Sequence, residues 1–190
     1  MPSPEISFRF DPAKAAEAAA LLLRLHGGPM GRMRLLKLLY LAEREALKRS
    51  NRPICGGLYV SMPHGPVMSE VYDLIRGQAW GESAVWNARI VAADERDLML
   101  RGEIDPDSLS DADIAVLKDT FRRFKHMTDG QIYRFVHDPA KVPEYRDPEG
   151  SSAPIPAAHV LEAVGKTAPE IVTIAEEVRV ENRQADLLSE

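Results

Sequence analysis

A chain of 190 residues, 45% hydrophobic and 28% charged, is long enough to bury one ordinary core without help from metal or disulfides. Its 24 Lys+Arg against 29 Asp+Glu leave a net charge of −5, which argues against a nucleic-acid coat or a binder of anionic membranes. Cys55 is the only cysteine, so a disulfide framework, an Fe–S cluster and a cysteine-rich zinc site are all excluded.

The first ten residues read as a flexible lead-in. Their opening, Met1 to Glu5, lacks the basic and apolar regions of a signal peptide, and the expected compartment is the cytoplasm. Asp11 as a cap, Pro12 at the first helical position and Gly27-Gly28 as a stop then predict a helix up to His26. Within it lies the longest apolar run, Ala18 to Leu23, far short of the roughly 20 residues that cross a bilayer. A second helix is predicted over about Arg32 to Ser50. Arg34, Lys37, Arg44, Glu45 and Lys48 share one narrow face of it, and leucines, alanines and Tyr40 cover the rest. An arc that wide predicts burial on several sides and makes this the central helix. Lys37 is expected to be solvated, with the Tyr40 ring in the core and its hydroxyl at the edge.

Residues 51–63 read as a long connection with one short extended piece at Leu58-Tyr59-Val60. Gly65-Pro66 is expected to open a third helix, placing His64 at its N-terminus. Val85 to Ala92 and Leu98 to Leu100 then read as the two arms of a charged β-hairpin. Ser110–Asp113 and Thr128–Gln131 both have the form of a capping box, each followed by apolar residues at helical spacing. Five prolines between Pro139 and Pro156 predict a loop, and two helices over 157–190 are expected to pack back on the domain and fray at the end. The fold class is therefore mainly α: a compact helical domain over 11–138, around a buried central helix, with a small antiparallel hairpin at about 85–100.

Catalytic and metal signatures are missing. The five histidines His26, His64, His126, His137 and His159 include no pair at the helical spacing a metal site needs. The sequence holds no nucleophile elbow, phosphate-cradling glycine loop or His-Glu-x-x-His motif, so neither a cofactor nor an enzyme activity is expected. Charge is uneven instead. Residues 32–52 carry a net of +5 and residues 94–119 a net of −6, an arrangement that can steer a protein partner.

The landmarks fall in a familiar order. Leu36-Lys37-Leu38-Leu39-Tyr40-Leu41 on a buried helix is followed by Pro53-Ile54, then by Pro63-His64-Gly65-Pro66-Val67, a charged hairpin, a helix led by Leu109-Ser110 and a short helix closing on His137. Over about residues 11–145 this resembles the SocA-like, or Panacea, antitoxin domain of phage-associated proteins. The resemblance implies a protein that binds and neutralises a toxin encoded nearby, with delivery of the toxin to the ClpXP protease through ClpX as an extension. The candidate partner-binding residues are Lys37, Tyr59, His64, Tyr145 and Arg146, the last two because aromatic and Arg side chains anchor interfaces. In the alternative for Tyr145, its ring tucks under the last two helices. A second function is a DNA-binding regulator, with residues 110–137 as a helix-turn-helix-like pair and Arg122, Arg123, Lys125 and His126 near the turn. Asp111, Asp113 and Asp119 count against it, and operator DNA is the only nucleic acid it would bind.

Overall fold

The computed structural model describes residues 4–79, 83–102 and 106–188. Helix α1 (Pro12–His26) starts where the Asp11 carboxylate accepts the Lys14 N–H at 3.0 Å, and it ends at Gly27, whose φ of 81° turns the chain left-handed. Every residue from Ala18 to Leu23 is buried. A two-residue strand, β1 (Met30–Gly31), leads into α2 (Arg32–Ser50). From Leu35 to Glu43 every residue of α2 is buried, and its neighbours come from most of the chain. The cause is the wide apolar arc, which cannot be hidden by one partner helix.

Strand β2 (Tyr59–Ser61) pairs antiparallel with β3 (Val67–Met68), which runs straight into α3 (Ser69–Arg76). Gly65-Pro66 therefore does not open a helix. The expected helix start moves to Ser69 because Val60 pairs with Val67 and Tyr59 with Met68, so those two residues stay extended. A second correction concerns the hairpin. Val85 to Arg89 belongs to α4 (Ser83–Arg89), and only β4 (Ile90–Ala92) and β5 (Asp97–Leu100) pair, with Ile90 opposite Leu100 and Ala92 opposite Leu98. Trp86 is 3% exposed, and α4 packs on α1. Tertiary burial of an indole overrides the local β pattern. β1 adds to β5 to complete a three-stranded antiparallel sheet in the order β1-β5-β4.

Helices α5 (Asp111–Phe124) and α6 (Asp129–His137) both carry complete capping boxes, Ser110 with Asp113 and Thr128 with Gln131. Their apolar faces, including Leu117, Phe124, Ile132 and Val136, close on α2. Residues 138–152 follow as turns, and β6 (Ala153–Ile155) then joins β2 as the outer strand of a second sheet, order β3-β2-β6. Pro154 is tolerated there because an edge strand can do without one donor. This stretch is not a plain connector: Val142 and Tyr145 are buried, as is the side chain of Glu144. Helix α7 (Ala157–Ala163) packs on α2, and α8 (Ala168–Leu187) packs on α7 through Ile171, Ile174 and Val178. Eight helices and two small sheets make the described chain mainly α. Of the lead-in, residues 1–3 lie outside the described residues. Beyond them Phe8 is 7% exposed and the Ser7 carbonyl accepts from Asn182, which ties the segment to α8. The fraying expected from Glu181 onward is corrected: α8 stays helical to Leu187, and residues 189–190 lie outside the described residues.

Candidate functional site

The cationic face of α2 is not the solvated stripe its sequence implies. Arg34 is 9% exposed and Lys37 only 1%. Arg34 donates to the Met127 carbonyl at 2.9 Å and to Asp129 at 2.7 Å, which pins the α5–α6 turn. The Lys37 Nζ donates to the Pro66 carbonyl at 2.9 Å, and its burial pulls the ammonium down to about 7. The correction has a plain reason. Residues 62–66 and 136–145, distant in sequence, fold over the middle of α2 and supply acceptors that periodicity cannot reveal.

The loop they form is gripped at three carbonyls. Lys37 holds that of Pro66, the His137 Nε2 lies 3.3 Å from that of Pro63, and the Tyr145 hydroxyl donates to that of Met62 at 3.1 Å. The other ring nitrogen of His137 lies 2.7 Å from the Tyr133 carbonyl. Tyr133 stacks on His137 with centroids 3.9 Å apart, and Tyr145 meets that imidazole edge-on at 4.7 Å. His64 stands exposed at the loop's tip, 6.4 Å from the half-exposed Tyr133 ring. The result is a shaped surface corner over a rigid base.

Gly65 is what lets the loop close. Its φ is +97°, and a Cβ there would lie 2.8 Å from Val136 Cγ2 and 3.1 Å from both His137 Cε1 and Lys37 Nζ. We expect Gly65→Ala to cost ~2 kcal/mol or more in denaturant melting, since left-handed strain and crowding add. A wild-type melting curve for Gly65→Ala would mean that the loop is looser than this packing requires.

All five residues proposed from the sequence fall around this corner, at different depths. Tyr59 is buried beneath it. Its hydroxyl donates to Glu43, and its ring meets Tyr40 edge-on at 6.0 Å. Glu43, fully enclosed, also accepts the Cys55 N–H at 2.7 Å, and burial pushes its carboxyl up to about 7. Lys37 and Tyr145 are likewise buried, and the Tyr145 ring, 8% exposed, tucks against α6 rather than under the last two helices. His64 and Arg146 are exposed, and the Arg146 N–H reaches Ser61 Oγ at 3.4 Å. Tyr133 was missed by the sequence reading, although its place four residues before His137 puts both rings on one helix face. Glu144 was missed too. Its buried carboxylate accepts from the Tyr40 hydroxyl at 2.8 Å and from Arg44 Nε at 2.5 Å, and nothing in a proline-rich stretch signals that.

No group of three or more His, Cys, Asp or Glu among the described residues could hold a metal. Cys55 is buried, and burial with the nearby Glu43 carboxylate raises its thiol well above the ordinary range, so it is no ready nucleophile. Among the described residues no helix is long and apolar enough to cross a membrane.

A family model described as antitoxin SocA-like, Panacea domain matches residues 35–141, more than half of the chain. The match begins on α2 and ends just past α6, so it contains Lys37, Tyr59 and His64 and stops short of Tyr145 and Arg146. No curated protein and no solved structure matches the chain.

Proposed function

Because the chain belongs to the SocA-like Panacea antitoxin family, we propose that it neutralises a toxin encoded nearby by binding it directly, as a binding protein rather than an enzyme. The observation that carries this reading is the triple grip on the loop at residues 62–66, which holds His64 beside Tyr133 before any partner arrives. A surface already fixed loses little entropy on binding. In this reading His64 and Arg146 touch the toxin, while Lys37, Tyr59 and Tyr145 act from beneath as positioning residues. Occlusion of a toxin surface is the mechanism, and handing the bound toxin to ClpX for degradation is a proposed second step in the cytoplasm.

The test is growth. In cells making the toxin, co-expression of this chain should restore colony formation, and a His64→Ala/Arg146→Ala variant with unchanged melting should protect at least about ten-fold less well. Full protection by that folded variant would move the interface elsewhere. The regulator reading fares worse, because Arg122 pairs with Asp119. Operator binding would show as retention of the promoter fragment beside the gene and not of random duplex.

A further inference from the structure

Between α2 and α5, with Phe135 of α6 in its wall, lies a groove of about 320 Å³. Arg44 and Arg49 line it but are already committed, Arg44 to Glu144 and Arg49 to Glu45 and Asp119. Three further cations are not. Lys48 and Lys141 are exposed and have no ion-pair partner among the described residues. Arg123 rests on aromatic faces, 5.2 Å from the Phe124 centroid and 5.6 Å from that of Phe135, and has no ion-pair partner among the described residues. The floor between them is apolar, formed by Leu41, Phe124, Phe135 and Val164.

We infer that this groove takes an acidic segment of the protein partner, carrying carboxylates to Lys48, Arg123 and Lys141 and one apolar side chain to the floor. The inference rests on the toxin-binding reading and names the chemistry its partner presents. Two features choose a protein segment over nucleic acid. Glu45 and Asp119 sit in the same groove, where a phosphate backbone would meet them at every register. An apolar floor is wasted on a phosphodiester, whereas a Leu or Phe anchor gains from burial there. The size suits a few side chains rather than a folded domain. The three cations come from three places in the chain, Lys48 from α2, Arg123 from α5 and Lys141 from the turn after α6, and this local positive charge stands out against a net charge of −5 and can draw an acidic partner at the encounter stage.

The experiment compares wild type with a Lys48→Glu/Lys141→Glu variant, both checked for equal melting, in titration calorimetry against the purified toxin. The variant should bind at least about ten-fold more weakly, and wild-type binding should weaken as salt rises from about 0.05 to 0.5 M. Unchanged affinity in the variant overturns the groove and leaves the antitoxin reading standing. If wild type does not bind the toxin at all, the antitoxin reading fails, and the groove is judged by an NMR titration with the synthetic peptide EELFEE. Shifts confined to Lys48, Arg123, Phe135 and Lys141, lost in the variant, would sustain it; their absence would sink it. Tight binding of random duplex DNA that disappears in the variant would overturn the choice of a protein segment.

Discussion

Glu144→Ala is expected to destabilise the protein by about 3–5 kcal/mol, the usual cost of removing one partner from a buried ion pair. The Glu144 side chain is wholly enclosed and accepts from the Tyr40 hydroxyl and from Arg44 through both Nε, at 2.5 Å, and Nη2, at 3.2 Å. Its loss leaves the fully buried Tyr40 hydroxyl without its acceptor and the largely buried Arg44 guanidinium with only the Lys141 carbonyl, and the donors left unpaired cost their desolvation. The segment carrying Glu144 also carries Val142 and Tyr145, so the damage should spread to the His64 corner. At roughly 2–4 °C per kcal/mol for a chain of this size, the melting temperature should fall by about 10 °C. A double variant, Arg44→Met with Glu144→Leu, should recover most of that loss, because an apolar pair of similar volume is often neutral. A melting temperature within about 2 °C of wild type for Glu144→Ala would show that this carboxylate does not hold the segment down.

Lys37→Met should stabilise the protein in a pH-dependent way. In the folded chain the buried Lys37 ammonium titrates at about 7, against an ordinary value of 10.5. Below pH 7 both folded and unfolded chains carry the proton, and the full penalty of burying it is present. Between about 7 and 10.5 the unfolded chain holds more protons, so this group's contribution to stability rises with pH and the penalty fades. At about 1.4 kcal/mol per unit, the penalty is on the order of 5 kcal/mol, reduced in the variant comparison by the donor lost to the Pro66 carbonyl. The advantage of Lys37→Met over wild type should therefore be largest near pH 6 and shrink towards pH 10. Glu43 carries the opposite sign in a lower window, losing stability as pH rises from about 4.5 to 7, and it cancels from this difference because both proteins contain it. Denaturant melts of the two proteins at pH 6 and pH 10 decide the matter. An advantage that does not change with pH would place the ammonium in water.

What the sequence could reveal was whatever is encoded locally. Asp11-Pro12 and Gly27 mark α1, and the boxes at Ser110 and Thr128 mark α5 and α6, because caps and stops act within one turn of backbone. Failures came where distant segments decide. Lys37 looks solvated beside Arg34 and Arg44, yet residues 62–66 cover it. Val85 and Trp86 look like strand, but α1 offers them a helical docking face. Proline counting made residues 139–156 a loop and hid both Glu144 and a strand that pairs with β2. The candidate corner was partly legible for the same reason. His64 stands out beside Gly65-Pro66, whereas the three carbonyl grips that fix it come from residues scattered over more than a hundred positions.

The most direct measurement is purification through a tag on this chain after co-expression with the product of the adjacent gene. Direct neutralisation predicts a stoichiometric complex that survives size-exclusion chromatography and forms equally well in cells lacking ClpX. Recovery of this chain alone, from cells in which the soluble toxin is present yet growth is protected, would contradict it.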